Sequence, residues 1–342
     1  MGIELVSQPA MRFEGALSGQ GTRNVIAGLV AAVAAGAVPI QSAAAGIELG
    51  EGLSVTGFVD MSLLVTDVDG SPSSKTFGID QVETDFLYAG SGGVSAEVDI
   101  EYGESGSGNG EDETFVEQAF ITKKFNDSFS LKAGRFLSYS GWEAEEPTGL
   151  FQYSGTGYAP YFYGYYQQGV SAYYDAGKVD FMASVVNSAF DPLDRDTDEL
   201  GYELGVALQP VEGLTAKLFY ISNKNDTAGG SDKIVNAWVS YAVSKFTVAA
   251  EYNTADYASG GDGDGYLLMG NYASGPFGMT LRYHDFEIKN ANGSTAVEDS
   301  GFTVSPSYKV GSNLLLVGEF RMDDFGGGVD SNLFALEALF TF

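Results

Sequence analysis

Apolar and polar residues alternate along most of this chain. In the stretch 94–102 the apolar residues are Val94, Ala96, Val98, Ile100 and Tyr102, and the polar ones are Ser95, Glu97, Asp99 and Glu101. Successive side chains of a β-strand point to opposite faces, so the pattern predicts a strand with one apolar and one polar face. After residue 45 no apolar run reaches the roughly 18 residues of a membrane-spanning helix. If this region enters a membrane, it does so with strands.

Sixteen segments of this kind can be counted. They lie near 53–65, 80–89, 93–102, 114–124, 128–137, 167–175, 178–187, 199–209, 213–222, 233–242, 245–254, 265–273, 276–287, 299–309, 312–322 and 331–342. Their connections alternate between short turns and longer polar loops, which is how the two rims of an outer-membrane barrel differ. A soluble β-sandwich also shows apolar alternation, but nothing in its architecture requires short and long connections to alternate. The sequence predicts an all-β, transmembrane antiparallel barrel with short periplasmic turns and longer outer loops.

The last predicted strand carries a row of residues on one face that ends in an aromatic residue. The row is Asn332, Phe334, Leu336, Ala338, Phe340 and Phe342. A terminal aromatic on such a strand resembles the signal read by the outer-membrane assembly machinery, which is therefore an expected partner through Phe342. Two other positions fit their strands less well. Pro306 would remove a ladder hydrogen bond, which predicts a bulge, and Arg135 must lie near a rim or follow a bulge.

The first forty-five residues have the features of a secretory signal peptide. Arg12 and Arg23 precede the apolar run 25–38, and three alanines at 43–45 follow it. Met11 is an alternative start, because the ten residues before it contain no basic residue. We therefore expect residues 1–45 to be removed and residues 46–342 to form a barrel integral to the bacterial outer membrane.

The chain is strongly acidic. It has 17 Lys and Arg residues against 46 Asp and Glu residues, a formal net charge of −29 and no cysteine. Such a charge repels phosphate backbones, so nucleic acid is not an expected partner. Without cysteine there is no disulfide framework and no thiolate metal site. Cations and small hydrophilic solutes are the natural partners.

One predicted outer loop, 138–167, is far longer than the others and rich in aromatic residues. Loops of this length are usually functional or disordered, and the aromatic residues argue against disorder. We expect it to fold inward and narrow the barrel, with a surface lid, an oligomer contact or a simple rim loop as alternatives. The residues expected at the constriction are Trp142, Glu143, Glu145, Glu146, Tyr153, Tyr161 and Tyr163.

The polar faces of the strands predict the lining of the lumen. The principal expected pore-lining residues are Asp60, Glu83, Asp85, Glu97, Asp99, Glu101, Lys132, Lys217, Glu251, Arg282, His284 and Arg321. Asp180, Glu203, Glu319, Glu337 and Lys309 lie on the same faces. Acids outnumber bases on these faces, and charges that line a pore set the sign of the ions it admits, so the pattern favours cations. The alternative is a paired, solvated wall with little selectivity.

No catalytic, cofactor or dedicated metal site is predicted. His284 is the only histidine, and no nucleophile motif accompanies it. Asp262-Gly-Asp264-Gly265 resembles only a fragment of a calcium loop. The acidic outer loops instead suggest bridging to lipopolysaccharide through divalent cations, alongside contact with membrane lipid. A closed structural or adhesive barrel and an outer-membrane enzyme are the competing functional classes.

The region 129–190 contains a series of short motifs in a fixed order. It reads Phe129-Ser-Leu-Lys-Ala-Gly-Arg-Phe136, Gly141-Trp-Glu143, Tyr153-Ser154, Ala159-Pro160-Tyr161-Phe162, Gly169-Val-Ser-Ala-Tyr-Tyr174 and then the strand 178–187. This order resembles the OmpL-like family of β-barrel porins. Ser171 and Ser188 depart from the family pattern, where a basic residue and a glycine usually stand. The resemblance implies an outer-membrane channel and leaves a homo-oligomer open.

Overall fold

A computed structural model describes residues 46–103, 113–143, 146–225 and 228–342. The expected signal peptide, the Met11 start and Glu145 of the expected constriction lie outside the described residues. Residues 104–112 of the second long outer loop do as well.

The described chain is almost entirely β-structure. The strands are β1 Ile47–Gly50, β2 Leu53–Val68, β3 Ser74–Ala89, β4 Val94–Gly103, β5 Glu113–Lys124, β6 Phe129–Leu137, β7 Tyr166–Asp175, β8 Val179–Val186, β9 Gly201–Leu208, β10 Leu214–Asn225, β11 Gly230–Val243, β12 Phe246–Asp256, β13 Asp262–Ser274, β14 Phe277–Lys289, β15 Thr295–Val310, β16 Leu314–Asp324 and β17 Asp330–Thr341. One helical turn, α1 Ala159–Phe162, and 3₁₀ turns at Ser91–Gly93 and Pro147–Gly149 complete the elements. Among the described residues, no helix is long and apolar enough to cross a bilayer.

The strands β2 to β17 form a closed antiparallel barrel. Each pairs with its neighbours in sequence, and β17 pairs with β2. Two backbone hydrogen bonds between Gly57 and Phe342, with N–O distances of 3.0 and 3.2 Å, extend that last seam. The short β1 pairs only with the start of β2. The predicted sixteen-stranded barrel is therefore confirmed.

Apolar side chains face outward and polar ones mostly face inward. On β17, Leu336 is 49% exposed and the adjacent Glu337 is 5% exposed, and the same alternation separates Leu281 from Arg282 on β14. Outward aromatic rings pair between neighbouring strands, as in Phe246 with Tyr272 at 4.9 Å. Full exposure of such an apolar surface in water would be unfavourable, whereas lipid solvates it.

The connections alternate between short turns and longer loops, as predicted. Turns such as 176–178, 244–245 and 275–276 join alternate pairs, and longer connections join the others. The third of the longer connections is residues 138–165, between β6 and β7. We call it the inner loop.

Register shifts change the details of the wall. The register shifts between β2 and β3 around Asp80, and between β4 and β5 around Glu117. At Pro306 the register is kept on both sides, so the predicted bulge is wrong there. The Ser305 hydroxyl donates to the Gly318 carbonyl oxygen at 2.9 Å and so offsets the donor that proline lacks.

Arg135 on β6 lies directly beside one of these shifts. It pairs with Ala119 on β5, and the register changes two residues further along, around Glu117. Its guanidinium Nη1 donates to the Val116 carbonyl oxygen at 2.7 Å. Arg135 also lies close to the end of β6 at Leu137, which is one of its two predicted placements. The strand irregularity beside it lies in the neighbouring strand rather than in β6.

Candidate functional site: the lumen and its inner loop

The inner loop packs inside the barrel through its aromatic residues. Tyr158 and Phe162 have no exposed surface, and they belong to a buried cluster that includes wall residues of several strands. The Tyr158 ring makes an edge contact with Phe286 of β14, with centroids 5.8 Å apart. Trp142 contacts Trp238 of β11 in the same way at 5.3 Å. Burial of these rings supplies the apolar contribution that holds the loop inward.

Glu203 on β9 fixes the start of the loop. Its carboxylate accepts hydrogen bonds from the Ser138 hydroxyl at 2.8 Å and the Tyr139 backbone N–H at 3.0 Å. The Gln167 side-chain amide donates to the other oxygen at 2.7 Å. Both oxygens of this buried carboxylate are thus paired.

Glu251 on β12 binds the loop at several points. It accepts from the Trp142 backbone N–H at 2.9 Å, from the Tyr158 hydroxyl at 2.5 Å and from the Tyr163 hydroxyl. Asn236 on β11 also donates to it. Burial and the nearby Glu251 charge raise the pKa of both tyrosines well above the usual value, so their hydroxyls stay protonated and donate.

Arg282 on β14 pairs with a carboxylate of the loop itself. Its Nη1 lies 2.5 Å from Glu143 Oε1 and also donates to the Ser154 carbonyl oxygen at 2.5 Å. The other Glu143 oxygen accepts from the Thr156 backbone N–H at 2.6 Å. A buried charge pair with further hydrogen bonds on each partner holds this part of the loop to the wall.

Arg321 on β16 continues the same attachment. It donates to the carbonyl oxygens of Gly155 at 2.5 Å and Thr156 at 3.0 Å. It also pairs with Asp323 at 2.6 Å and with Asp299 of β15 at 3.3 Å. We call Arg282, Arg321 and the carboxylates and loop carbonyls bound to them the arginine wall.

His284 lies within the arginine wall. Its Nε2 is 3.3 Å from Asp299 Oδ2 and 3.8 Å from Asp323 Oδ1. A Cβ on Gly301 of β15 would lie 2.4 Å from the imidazole Cε1 and 2.1 Å from Asp323 Oδ1, so glycine is required for this packing. Asp299 and Asp323 share the Arg321 guanidinium, which makes the cluster an ion-pair network.

A second charged region lies on strands β3 to β5, and we call it the acidic wall. Its inward-facing acids are Glu83, Asp85, Glu97, Asp99, Glu101 and Glu117. The loop residue Glu146 lies against it, and its ligand oxygens are within 4.8 Å of those of Glu83 and Glu117. Burial, and then the charges of Glu117, Asp85 and Glu97, raise the pKa of Glu146 well above the usual value. Gln118 donates to Asp99 at 2.7 Å, but among the described residues no ion pair joins an arginine to Glu83, Glu117 or Glu146.

The structure places the expected pore-lining residues in two groups. Buried ones are Asp60, Glu83, Asp99, Glu101, Lys217, Glu251, Arg282, His284 and Arg321, and partly exposed ones are Asp85, Glu97 and Lys132. The ammonium of Lys132 lies over the Phe120 ring at 4.3 Å, and that of Lys217 over Trp238 at 4.9 Å. The two lysines are therefore held against aromatic faces.

The described residues of the expected constriction also lie in different parts of the lumen. Trp142, Glu143 and Tyr163 meet the arginine wall or Glu251, and Glu146 meets the acidic wall. Tyr153 reaches β2, where its hydroxyl is 3.1 Å from the Ser62 hydroxyl. Tyr161 is half-buried, and its carbonyl oxygen accepts from Tyr257 at 3.0 Å.

Several residues of the site escaped the sequence reasoning. Asp299 and Asp323 fall near predicted strand ends, and Asn236 is a neutral residue on a polar face. Glu117 has the parity of the lipid-facing residues Phe115 and Ile121 and turns inward only because of the register shift. An acid in an apolar row was the signal that could have found it.

A sixteen-stranded antiparallel barrel with an inward third outer loop defines the porin type of outer-membrane protein. The family model described as "Putative beta-barrel porin-2, OmpL-like" matches residues 73–342. The chain belongs to this family, as the motifs in 129–190 indicated, and it is an integral protein of the outer membrane. No curated protein matches the sequence.

Solved porin structures share the fold at low sequence identity. OmpF of Salmonella typhi, in complex with daunomycin, has a TM-score of 0.68 at 14% identity, over 85% of this chain and 97% of that chain. The anion-selective porin of Comamonas acidovorans has a TM-score of 0.65 at 14% identity, over 85% and 99%. The trimer form of OmpT, an outer-membrane protein of Vibrio cholerae, has a TM-score of 0.62 at 13% identity, over 85% and 100%.

Proposed function

We propose that this protein is a porin that lets small hydrophilic solutes diffuse passively across the outer membrane and favours cations. The observation that carries the proposal is the inner loop, which is bound inside the barrel to wall carboxylates and arginines on β9, β12, β14 and β16. A loop held at so many points narrows the lumen without depending on a ligand to close it. Transport through such a barrel needs no energy-coupling domain.

The preference for cations rests on the buried charges. Among the described residues, the buried acids are Asp60, Glu83, Asp99, Glu101, Glu117, Glu146, Asp180, Glu203, Glu251, Asp299, Glu319, Asp323 and Glu337. The buried bases are Lys217, Arg282 and Arg321. Since the two arginines are already paired with carboxylates, the excess charge that a permeating ion meets is negative. The fold alone does not fix this sign, because an anion-selective porin shares it.

Reversal potentials in planar bilayers test the selectivity. With a KCl gradient across a bilayer that holds the refolded barrel, we expect a potential of the sign that marks K⁺ as the more permeant ion. The variant Glu97→Gln, on the partly exposed part of the acidic wall, should reduce that preference. A potential of the opposite sign in the unmodified protein would contradict the proposal.

A second candidate, a barrel with a closed lumen, is favoured by one specific observation. The inward faces of β2, β16 and β17 carry an apolar cluster around the loop residue Tyr153. Its other members are Phe58, Leu315, Val317, Leu333, Ala335 and Leu339. An apolar inner wall in contact with the loop leaves less polar surface for a hydrated ion to follow.

Single-channel recording distinguishes the two candidates. The full chain should give discrete steps, and deletion of residues 142–163 should enlarge them. A matched deletion of 191–197 in the outer connection after β8 should leave the step size unchanged. If the full chain gives no steps and only the deletion variant conducts, the closed barrel is correct.

No catalytic role is proposed for any residue. His284 is held by Asp299 and Arg321, and the Ser305 hydroxyl on the next strand donates to a backbone carbonyl. We further propose lipid and lipopolysaccharide contacts at the outward face, recognition of Phe342 by the assembly machinery, and self-association. A lipid-hydrolysis assay that is positive for the native protein and abolished by His284→Ala would overturn the non-enzymatic assignment.

A further inference from the structure

Three carboxylates from three separate elements converge on the acidic wall. Glu83 comes from β3, Glu117 from the irregular part of β5, and Glu146 from the inner loop. One ligand oxygen of each lies within 4.8 Å of the others. The strand pairing alone does not bring them together, because the loop must fold in to add Glu146.

The wall carboxylates of this cluster are buried and have oxygens without donors. Glu83 is 2% exposed and Glu117 is 1% exposed. Both oxygens of Glu117 and the Oε2 of Glu83 receive no hydrogen bond of good geometry. The side chains in contact with Glu117 include two further acids, Glu83 and Glu101, together with Tyr166. Buried carboxylates are normally paired or bind a metal ion, so this arrangement points to a cation.

The arginine wall shows what a compensated cluster in this barrel looks like. There His284, Asp299 and Asp323 also bring three ligand atoms close together, but Arg321 lies at 2.6 and 3.3 Å from the two carboxylates. In the described part of the acidic wall, Lys132 interacts with Glu97, and its ammonium lies over aromatic rings at 4.3 to 5.6 Å. Among the described residues, no basic side chain pairs with Glu117, and a bound cation would supply that positive charge.

We propose that Glu83, Glu117 and Glu146 bind one divalent cation of the calcium class and that this ion ties the inner loop to the acidic wall. Calcium takes oxygen ligands at about 2.3–2.6 Å in flexible geometry. Two oxygens on opposite sides of such an ion are about 5 Å apart. Three oxygens within 4.8 Å of one another can therefore all reach one ion. Magnesium requires a tighter octahedron and keeps its waters, so it fits less well. The site requires that the inner loop fold inward and bring Glu146 to the wall. It does not require that the barrel conduct ions.

Calorimetric titration of the refolded, EDTA-treated barrel with CaCl₂ tests the site. The unmodified protein should bind one calcium ion with an affinity well above that of the scattered outer-loop acids. Glu146→Gln and Glu83→Gln should each weaken this step by at least about tenfold, as loss of groups at a metal site does. Glu146→Asp should retain most of the affinity, and Asp299→Asn in the arginine wall should leave it unchanged.

Heat-modifiable migration on gels shows independently that each variant has folded. If Glu83→Gln does not fold, Glu146→Gln decides the question, because Glu146 lies in a loop rather than in a strand. The proposal is overturned if the native protein binds no calcium at millimolar concentration, or if binding is equal in all variants. Binding that is lost with Asp299→Asn but kept with Glu146→Gln would place the ion at the other triad and would also overturn it.

Discussion

The two charged walls of the lumen hold the same inner loop by different means. The arginine wall presents cations from the barrel to a loop carboxylate and loop carbonyls, and its own acids are paired with those arginines. The acidic wall presents only carboxylates, and the loop adds one more, Glu146. In the first region the sequence supplies both charges of each pair. In the second, the carboxylates face one another, and the positive charge of Lys132 is held over aromatic rings.

The difference teaches where the loop is fixed and where it responds to its surroundings. A buried ion pair is costly to break by removing one of its partners, so the arginine wall holds the loop through charges that the chain itself supplies. The repulsion between neighbouring carboxylates depends on the ions present. The stability of the acidic wall therefore depends on the composition of the solution. Removal of charge should therefore have opposite effects in the two regions.

The largest effect is expected from Arg321→Met. The variant leaves Asp299 and Asp323 buried without their main partner, and loss of one member of a buried pair costs about 3–5 kcal/mol. Urea unfolding of the barrel in lipid vesicles measures the change. Lys224→Met is the matched control, since its ion pair with Glu199 lies near the outer rim and is partly exposed. Surface pairs contribute about 1 kcal/mol or less, so an equal loss in both variants would contradict the arginine wall.

A smaller loss is expected from Glu251→Gln. The amide nitrogen cannot accept from the tyrosine hydroxyls, so at least one charge-assisted hydrogen bond is lost, at about 1.5–3 kcal/mol. Tyr163→Phe removes the loop hydroxyl that donates to Glu251. In a double-mutant cycle the two changes should be strongly non-additive. Additive losses would mean that Glu251 does not hold the loop through Tyr163.

Gly301→Ala tests the packing behind the arginine wall. The added Cβ would clash with Asp323 Oδ1 and the imidazole, and overpacking of this kind costs about 1–3 kcal/mol. Gly270→Ala on β13 is the control, because a Cβ there meets nothing within 4 Å. Thermal unfolding in detergent should separate the two variants, and equal melting temperatures would show that the wall rearranges freely.

Much of this fold was predictable because alternation is a local property of strands. The strand β17, for example, was predicted as 331–342 and is observed at Asp330–Thr341. The errors fall where the alternation inverts. On β3 the register shift at Asp80 turns Phe77 and Ile79 outward. These odd-numbered residues are out of phase with the even-numbered outward residues after the shift. The strand was therefore predicted to begin at 80 rather than at Ser74.

The site was less predictable than the fold for a related reason. The polar faces indicated which wall acids point inward, but not which of them acquire a partner. That depends on where the inner loop places Glu143 and Glu146, and those positions are set by contacts between residues more than a hundred apart in sequence, such as Glu143 with Arg282. Loop length and aromatic content indicate an inward fold without fixing its register against the wall.

The smallest expected effect has the opposite sign to the others. In EDTA, Glu117→Gln removes one of several neighbouring negative charges. The substitution breaks no hydrogen bond of good geometry, because the Glu117 oxygens receive none. We expect the free energy of unfolding to stay unchanged or rise by about 1 kcal/mol, the Coulomb energy of one charge pair about 4 Å apart in water. Asp299→Asn, a carboxylate of the arginine wall, should lower it under the same conditions. If Glu117→Gln also destabilises the barrel in EDTA, the acidic wall is compensated by protein groups and the two walls do not differ in kind.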